Sequence, residues 1–128
     1  MKNLISEYQK EKERIAFDLK LKGGDKHSQD WEYEVADPNR LDEFLKFYLN
    51  NKLSPTEKRI LIKLILESYN DYVGEKGFNI DYTKELTIIL EKEKTLCKDI
   101  IKVWSCEGEE LEDAYYITPI IRKIANEF

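Results

Sequence analysis

The chain has 128 residues, 41% hydrophobic and 12% aromatic, which is enough for one domain (residues 1–128) with a substantial core rather than a disordered chain. Its formal net charge is −5, and residues 65–128 hold 14 acidic against 8 basic side chains, which excludes nucleic acid as a partner. With no apolar run near the roughly 20 residues that cross a membrane, and an N-terminus unlike a signal peptide, we expect a cytoplasmic protein without a membrane partner.

The first helix is predicted over residues 6–22. Ser6 and Gln9 have the spacing of a capping box, in which each side chain bonds the other residue's backbone amide. Gly23-Gly24 then provides the left-handed backbone that commonly ends a helix.

Three further helix starts follow from proline placement. Proline at the first helical position loses no hydrogen bond, and a preceding Asp, Ser or Thr caps the free amides. This arrangement occurs at Asp37-Pro38, Ser54-Pro55 and Thr118-Pro119.

A segment of ambiguous period lies between the helix predicted over residues 6–22 and the helix that begins at Pro38. Trp31–Val35 alternates apolar and acidic residues, which is typical of a strand, although so short a segment also fits a helical turn. The helix that begins at Pro38 should then form one wall of the core, because its apolar residues have helical spacing: Leu41, Phe44, Leu45 and Tyr48.

The helix that begins at Pro55 is predicted to be central. Glu57 completes a capping box with Ser54, and apolar residues from Ile60 to Val73 cover more than half of the helix circumference. A helix with that pattern needs neighbours on several sides.

The remaining boundaries are less sharply defined. Gly74 and Gly77 are predicted to end the central helix, and the next helix is predicted to begin after Asp81 or Thr83. Residues 96–104 favour a helix, although their β-branched side chains also suit a strand. The sequence therefore predicts a mainly α-helical, single-domain bundle of five to six helices, with at most a short pair of strands.

The sequence shows no constellation typical of catalysis. His27 is the single histidine and lies in a polar segment, and Cys97 and Cys106 lack the spacing of a zinc site. Both cysteines are predicted to be reduced thiols. We expect a protein that is not an enzyme, with no cofactor and no metal.

Arginine is used sparingly, at four of the 21 basic positions. Arg40 and Arg122 fall in the first turn of helices that begin with proline, where the helix dipole disfavours a cation. Each arginine is predicted either to pair with a nearby carboxylate or to clamp an anionic ligand.

The segment Glu107–Asp113, here called the acidic loop, contains five carboxylates and no basic residue. Charge runs are often only solvated loops, but aromatic rings on both sides are typical of a surface that binds a basic protein. Tyr115 and Tyr116 are compatible with either a surface or a core position. The candidate partner-binding residues are Trp104, Glu107, Glu109, Glu110, Glu112, Asp113, Tyr115 and Tyr116.

Three segments together resemble small bacterial proteins from toxin-immunity loci: Trp31 to Phe44, Trp104-Ser105-Cys106 and Ile117 to Arg122. The resemblance implies a non-enzymatic protein that binds and neutralises a toxin. The acidic, helical immunity proteins of nuclease colicins are a more distant analogy, since their Tyr-Tyr-Pro run is interrupted here by Ile117-Thr118. The alternative is a small structural or regulatory subunit that self-associates, in which the acidic loop only maintains solubility.

Overall fold

The computed structural model describes residues 7–22 and 31–126. These residues form seven α-helices: α1 (Glu7–Leu19), α2 (Trp31–Val35), α3 (Leu41–Asn50), α4 (Pro55–Lys76), α5 (Ile80–Lys92), α6 (Lys98–Ser105) and α7 (Thr118–Asn126). Two 3₁₀ turns, Pro38–Arg40 and Leu111–Asp113, precede α3 and α7. The described ranges contain no strand, which confirms the prediction of a mainly α-helical fold.

The described ranges have one helix more than the five to six that were predicted, and the additional helix is α2. Its alternation of apolar and acidic residues resembles a strand, but Trp31, Glu32 and Val35 are buried whereas Tyr33 and Glu34 are exposed. Burial at positions i, i+1 and i+4 is the pattern of one helix face. The Trp31 indole also donates a hydrogen bond of 2.7 Å to the Lys22 carbonyl.

Contacts between residues group the chain into two compact units, of which the first ends at Ser68 and the second begins at Tyr69, inside α4. The expectation that residues 1–128 form one domain stays a prediction. None of the helices in the described ranges is long and apolar enough to cross a membrane.

In the first unit, α1 ends three residues earlier than predicted. Lys20 adopts a left-handed φ of 56°, and the Leu21 amide bonds the Ala16 carbonyl while the Lys20 amide bonds the Phe17 carbonyl. These two bonds form a Schellman motif, which satisfies the last free carbonyls of a helix. Ser6 and Gly23-Gly24, on which the predicted boundaries depended, lie outside the described residues.

The start of α3 confirms the prediction from Asp37-Pro38. The Asp37 carboxylate accepts a hydrogen bond of 2.9 Å from the Asn39 amide, and the 3₁₀ turn continues into α3. The predicted apolar wall is also observed, since four side chains of α3 are buried: Leu41, Phe44, Leu45 and Tyr48.

The capping box at the start of α4 is confirmed in both directions. The Ser54 amide donates to the Glu57 carboxylate at 2.9 Å, and the Glu57 amide donates to the Ser54 hydroxyl oxygen at 3.1 Å. The Ser54 hydroxyl donates its own proton to Glu11 of α1, at 2.8 Å. The prediction that α4 has neighbours on several sides agrees with the burial of six residues between positions 60 and 66: Ile60, Leu61, Ile62, Leu64, Ile65 and Leu66.

Arg40 follows the first of its two predicted roles. Its guanidinium donates two hydrogen bonds of 2.7 Å to the Glu43 carboxylate and a third to the Leu19 carbonyl. The hydrogen bond from Arg40 lowers the pKa of Glu43 below its usual value. A carboxylate of α3 therefore offsets the cation at the N-terminus of that helix.

In the second unit, the predicted end of α4 was right at Gly77 but wrong at Gly74, and the predicted start of α5 was wrong. Gly74 lies inside α4, which ends at Lys76 before Gly77 turns the chain with a φ of 83°. The cap of α5 is Asn79 rather than Asp81 or Thr83, because the Asn79 side chain accepts the Tyr82 amide at 2.9 Å.

Tertiary contacts explain this start of α5. The buried Tyr69 hydroxyl accepts a hydrogen bond of 2.9 Å from the Asn79 amide and lies 2.6 Å from the Thr83 hydroxyl. The Thr83 hydroxyl therefore contacts Tyr69 and does not cap the helix. The bond between the Asn79 amide and Tyr69 holds Asn79 where its side chain caps α5. Residues 98–105 are helical, as favoured, and α7 packs against both α5 and α6.

Candidate partner-binding site

The acidic loop begins where α6 ends. Cys106 has a left-handed φ of 48° and Gly108 has a φ of 82°, so the chain turns twice within three residues. The Glu109 amide then bonds the Cys106 carbonyl at 3.0 Å. The loop therefore has a defined path from its first residues.

Arg122 of α7 holds this path in place. Its guanidinium donates hydrogen bonds to three backbone carbonyls, those of Ser105 at 2.7 Å, Cys106 at 2.7 Å and Glu109 at 2.8 Å. Carbonyls at a helix C-terminus lack helical partners and carry partial negative charge, so a cation is stabilising there. The prediction that Arg122 pairs with a carboxylate or clamps an anion is therefore corrected: the arginine binds the backbone beside the acidic loop.

Thr118 makes a second connection between α7 and the loop region. Its hydroxyl donates to the Trp104 carbonyl at 2.9 Å and accepts the Tyr115 amide at 3.1 Å. Thr118 is fully buried. The expectation that this side chain caps the free amides of α7 was wrong, since its oxygen accepts an amide that precedes the helix.

The aromatic residues of the site occupy different depths. Trp104 is 5% exposed, whereas Tyr115 is 41% and Tyr116 is 62% exposed. The Tyr115 ring packs on Trp104, with ring centroids 4.2 Å apart. Trp104 therefore lies beneath Tyr115.

Tyr116 rests on the backbone of α4. A Cβ atom added at Gly74 would lie 2.6 Å from Cε2 of the Tyr116 ring, so any side chain at this position would displace the ring. The Ile117 amide next to it bonds the Asn70 side chain at 3.2 Å. The glycine that the sequence assigned to a helix end thus provides the seat of an aromatic ring.

The five carboxylates of the acidic loop are all exposed: Glu107, Glu109, Glu110, Glu112 and Asp113. None of their side chains forms a hydrogen bond or ion pair with another residue of the described ranges. An exposed cluster of unpaired like charges attracts cations over about a Debye length, roughly 8 Å at physiological ionic strength.

A groove of about 470 Å³ runs along the acidic loop. It is lined by Val103, Cys106, Glu107, Glu109, Asp113, Ala114 and Tyr115. Carboxylates and one aromatic ring thus face the same hollow.

Two exposed apolar residues of this region were not predicted as part of the site. Val103 is 62% and Leu111 is 54% exposed. The signal for Val103 is present in the sequence, since it falls outside the helical stripe of residues 96, 97, 100, 101 and 104. Leu111 is the single apolar residue between Glu107 and Asp113.

Of the two cysteines considered for chemistry, Cys106 lines the groove along the acidic loop and Cys97 does not. Cys97 is buried and Cys106 is half-buried, and both are free thiols. The described ranges hold no group of three or more His, Cys, Asp or Glu residues arranged for a metal ion. His27 lies outside the described residues.

No family model, curated protein or solved structure matches this chain. The resemblance to immunity-type proteins therefore stays a prediction.

Proposed function

We propose that this chain is a non-enzymatic protein-binding module of the immunity type, which neutralises a basic bacterial toxin in the cytoplasm. The acidic loop and the two exposed tyrosines would contact the partner. The observation that carries the proposal is the set of five exposed carboxylates beside these rings, which form no bond or ion pair with the other described residues.

The carboxylates suit long-range attraction of a basic partner. Because they have no partner among the described residues, no bond to any of those residues must break before they bind a cation. Charge complementarity of this kind mainly raises the association rate. The net charge of −5 also favours fast association with a basic partner.

The loop backbone is suited to binding without a large ordering cost. Arg122 fixes the beginning of the loop through three carbonyls, and Thr118 fixes Tyr115 through its amide. Ordering a loop on binding costs free energy, so a loop whose backbone is held beforehand retains more of its interaction energy.

The tyrosines suit the role of anchors. Tyr115 has one face against Trp104 and retains 41% of its surface for a partner. Buried rings that support exposed rings restrict their rotamers, and Tyr is among the residues enriched at energetic hot spots. In this proposal Trp104 supports Tyr115 rather than contacting the partner.

The first test asks whether the gene immediately upstream encodes a basic protein and, where it does, measures association rates with that protein. Replacing Glu109, Glu110, Glu112 and Asp113 by Ser or Asn should slow association and flatten its salt dependence. Unfolding should change little, because exposed charges contribute little to stability.

A matched variant distinguishes the effect of the acidic loop from the effect of net charge. It neutralises the same number of exposed acids elsewhere in the chain: Asp18, Glu34, Asp81 and Glu91. The proposal requires this variant to associate faster than the loop variant. Equal rates for the two variants, or an unchanged rate for the loop variant, would contradict it.

The second test measures dissociation. Tyr115→Ala and Tyr116→Ala should each speed dissociation, and a hot spot of roughly 2 kcal/mol corresponds to about a 30-fold change in Kd. Tyr33→Ala is the matched control, since Tyr33 is 68% exposed in the first unit. Melting curves of all three variants show whether a change in binding reflects unfolding.

The second candidate function is a small structural or regulatory subunit that self-associates. An exposed apolar groove between α5 and α7, lined in part by Phe78 and Ile80, favours it. In that case neutralising the acidic loop would leave every rate with the basic partner unchanged.

A further inference from the structure

The second unit has an open apolar groove between the N-terminal half of α5 and α7. It measures about 440 Å³ and is lined by Phe78, Ile80, Thr83, Pro119, Ile120 and Lys123. An adjoining hollow of about 270 Å³ shares three of these residues and extends toward Thr87 and Ile124. Phe78 is 56% and Ile80 is 72% exposed, so apolar surface is left in contact with water. Covering such a surface is favourable by the hydrophobic effect.

The charge at this groove restricts what covers it. Lys123 is the charged residue among those that line it. An occupant with an apolar side chain and adjacent carboxylates would cover the apolar surface and pair with the lysine. A basic occupant would be repelled at the same point.

The acidic loop has this combination of properties. Leu111 is 54% exposed on the 3₁₀ turn Leu111–Asp113, with exposed carboxylates directly before and after it, at Glu110 and Glu112. The groove thus has apolar surface beside a cation, and the loop has an apolar side chain beside anions. The two surfaces match in both polarity and charge.

We propose that the groove binds the acidic loop of a second copy of this chain, with Leu111 in the groove and Glu110 or Glu112 near Lys123. The contact joins two different surfaces, so it is heterologous, and each added copy leaves one groove and one loop open. This self-association goes beyond the proposed toxin-binding function, and it gives the second candidate function a specific contact. It also predicts competition, because a basic partner and a second copy would occupy the same loop.

Sedimentation velocity of the full chain over a wide range of protein concentration tests the proposal. The average mass of the wild type should rise with concentration, and added salt should weaken the association. Ile80→Glu should remain at the mass of the monomer, because it places an anion in the groove. Ile88→Glu is the matched control: Ile88 is 64% exposed on the same helix but does not line the groove, so this variant should associate as the wild type does.

A mixing experiment identifies the two surfaces. Leu111→Ser should also be monomeric alone, because it lacks the apolar anchor. A mixture of Ile80→Glu and Leu111→Ser should form dimers and nothing larger, since the intact loop of the first binds the intact groove of the second. Circular dichroism and melting of each variant verify that the fold is retained.

Three results would overturn the proposal. The first is a wild type that stays monomeric at every concentration. The second is a Leu111→Ser variant that associates as the wild type does, which would indicate that the groove pairs with another surface. The third is a mixture that remains monomeric although each variant is folded.

The test is independent of the proposed function. Ile80→Glu retains the acidic loop and both tyrosines, so it should bind a basic partner at the wild-type rate or faster. Failure of the basic partner to bind would leave the sedimentation results unchanged. Failure of self-association would leave the association rates with the basic partner unchanged.

Discussion

The starts of α3 and α4 in the first unit and the start of α7 in the second unit share one sequence signal, a capping residue followed by proline. Their capping side chains nevertheless form different hydrogen bonds. Asp37 and Ser54 each accept an amide that lies two or three residues ahead, within the turn that their proline opens. Thr118 instead accepts the amide of Tyr115, behind it, and donates to Trp104, fourteen residues back. A capping residue before proline therefore specifies where a helix begins but not what its side chain binds.

The two first-turn arginines repeat this difference. Arg40 pairs with Glu43, three positions ahead, and also bonds the Leu19 carbonyl at the end of α1. Arg122 bonds carbonyls that lie 13 to 17 residues earlier in the chain. In the first unit each of these residue types has at least one partner two or three positions ahead, whereas in the second unit the same residue types bond backbone groups that precede α7 and lie beside the acidic loop.

The largest expected effect is a loss of folding stability, and it tests whether the starts of α4 and α7 are equally well packed. Ile60 of α4 and Ile121 of α7 are both fully buried. Replacing either by Ala should cost roughly 2–5 kcal/mol, because each leaves a cavity in the core. Urea unfolding measures this cost. A small loss at one position alone would mean that packing, rather than hydrogen bonding, distinguishes the two starts.

The next effect is expected at Thr118. Thr118→Val keeps the shape of the side chain but leaves the Trp104 carbonyl and the Tyr115 amide without this partner. The cost should be about 1–3 kcal/mol, as for buried polar groups that lose a hydrogen bond. Hydrogen exchange of the Tyr115 amide should accelerate in the same variant. Thr118→Ser, which retains the hydroxyl, should show little of either change, and an equal loss in both would refute this account.

A smaller effect is expected at Asp37. Asp37→Ala removes a cap whose bond to the Asn39 amide is exposed, and it should cost about 1 kcal/mol or less. Asp37→Asn keeps an oxygen in the capping position and serves as the control. Faster hydrogen exchange should be confined to residues near the start of α3. A change in the exchange of the acidic loop would contradict the local character of this start.

The smallest effect concerns pH and Glu43. The hydrogen bond from Arg40 lowers the pKa of Glu43 in the folded chain, so folding is stabilised above the ordinary pKa of this carboxyl group. That contribution is lost as the pH falls through the lowered pKa. Glu43→Gln should therefore reduce stability at neutral pH by roughly 0.5 kcal/mol or less and have no effect in strong acid. Melting temperatures of both proteins across the acid range should converge, and a constant difference would contradict the pairing.

Much of the fold was predictable because its signals are local. The capping box of Ser54 and Glu57, and the apolar stripe of α3, involve residues within one or two helical turns of each other. Helix boundaries were predicted wrongly where a side chain distant in the sequence contacts the segment. Tyr69 holds the Asn79 backbone and engages Thr83, so α5 begins earlier than predicted. Gly74 resembles a helix end in the sequence but makes room for Tyr116.

The candidate site shows the same division. The positions of its carboxylates and rings are evident in the sequence, since five acids lie between Trp104 and Tyr115. The exposure of Tyr115 and Tyr116 is not evident in the sequence, because both residues also fit a core position. The stack of Tyr115 on Trp104 and the anchoring of the loop by Arg122 depend on the packing of α7 against α6.

The sequence by itself determined the α-helical class, three helix starts and the acidic character of the loop. These properties follow from hydrogen bonds and spacings within a few residues, which the chain specifies wherever it folds. Only the tertiary structure decided the backbone role of Arg122, the burial of Trp104, the exposure of Tyr115 and Tyr116, and the groove between α5 and α7. Each of these depends on residues far apart in the chain, whose proximity is fixed by the packing of the helices.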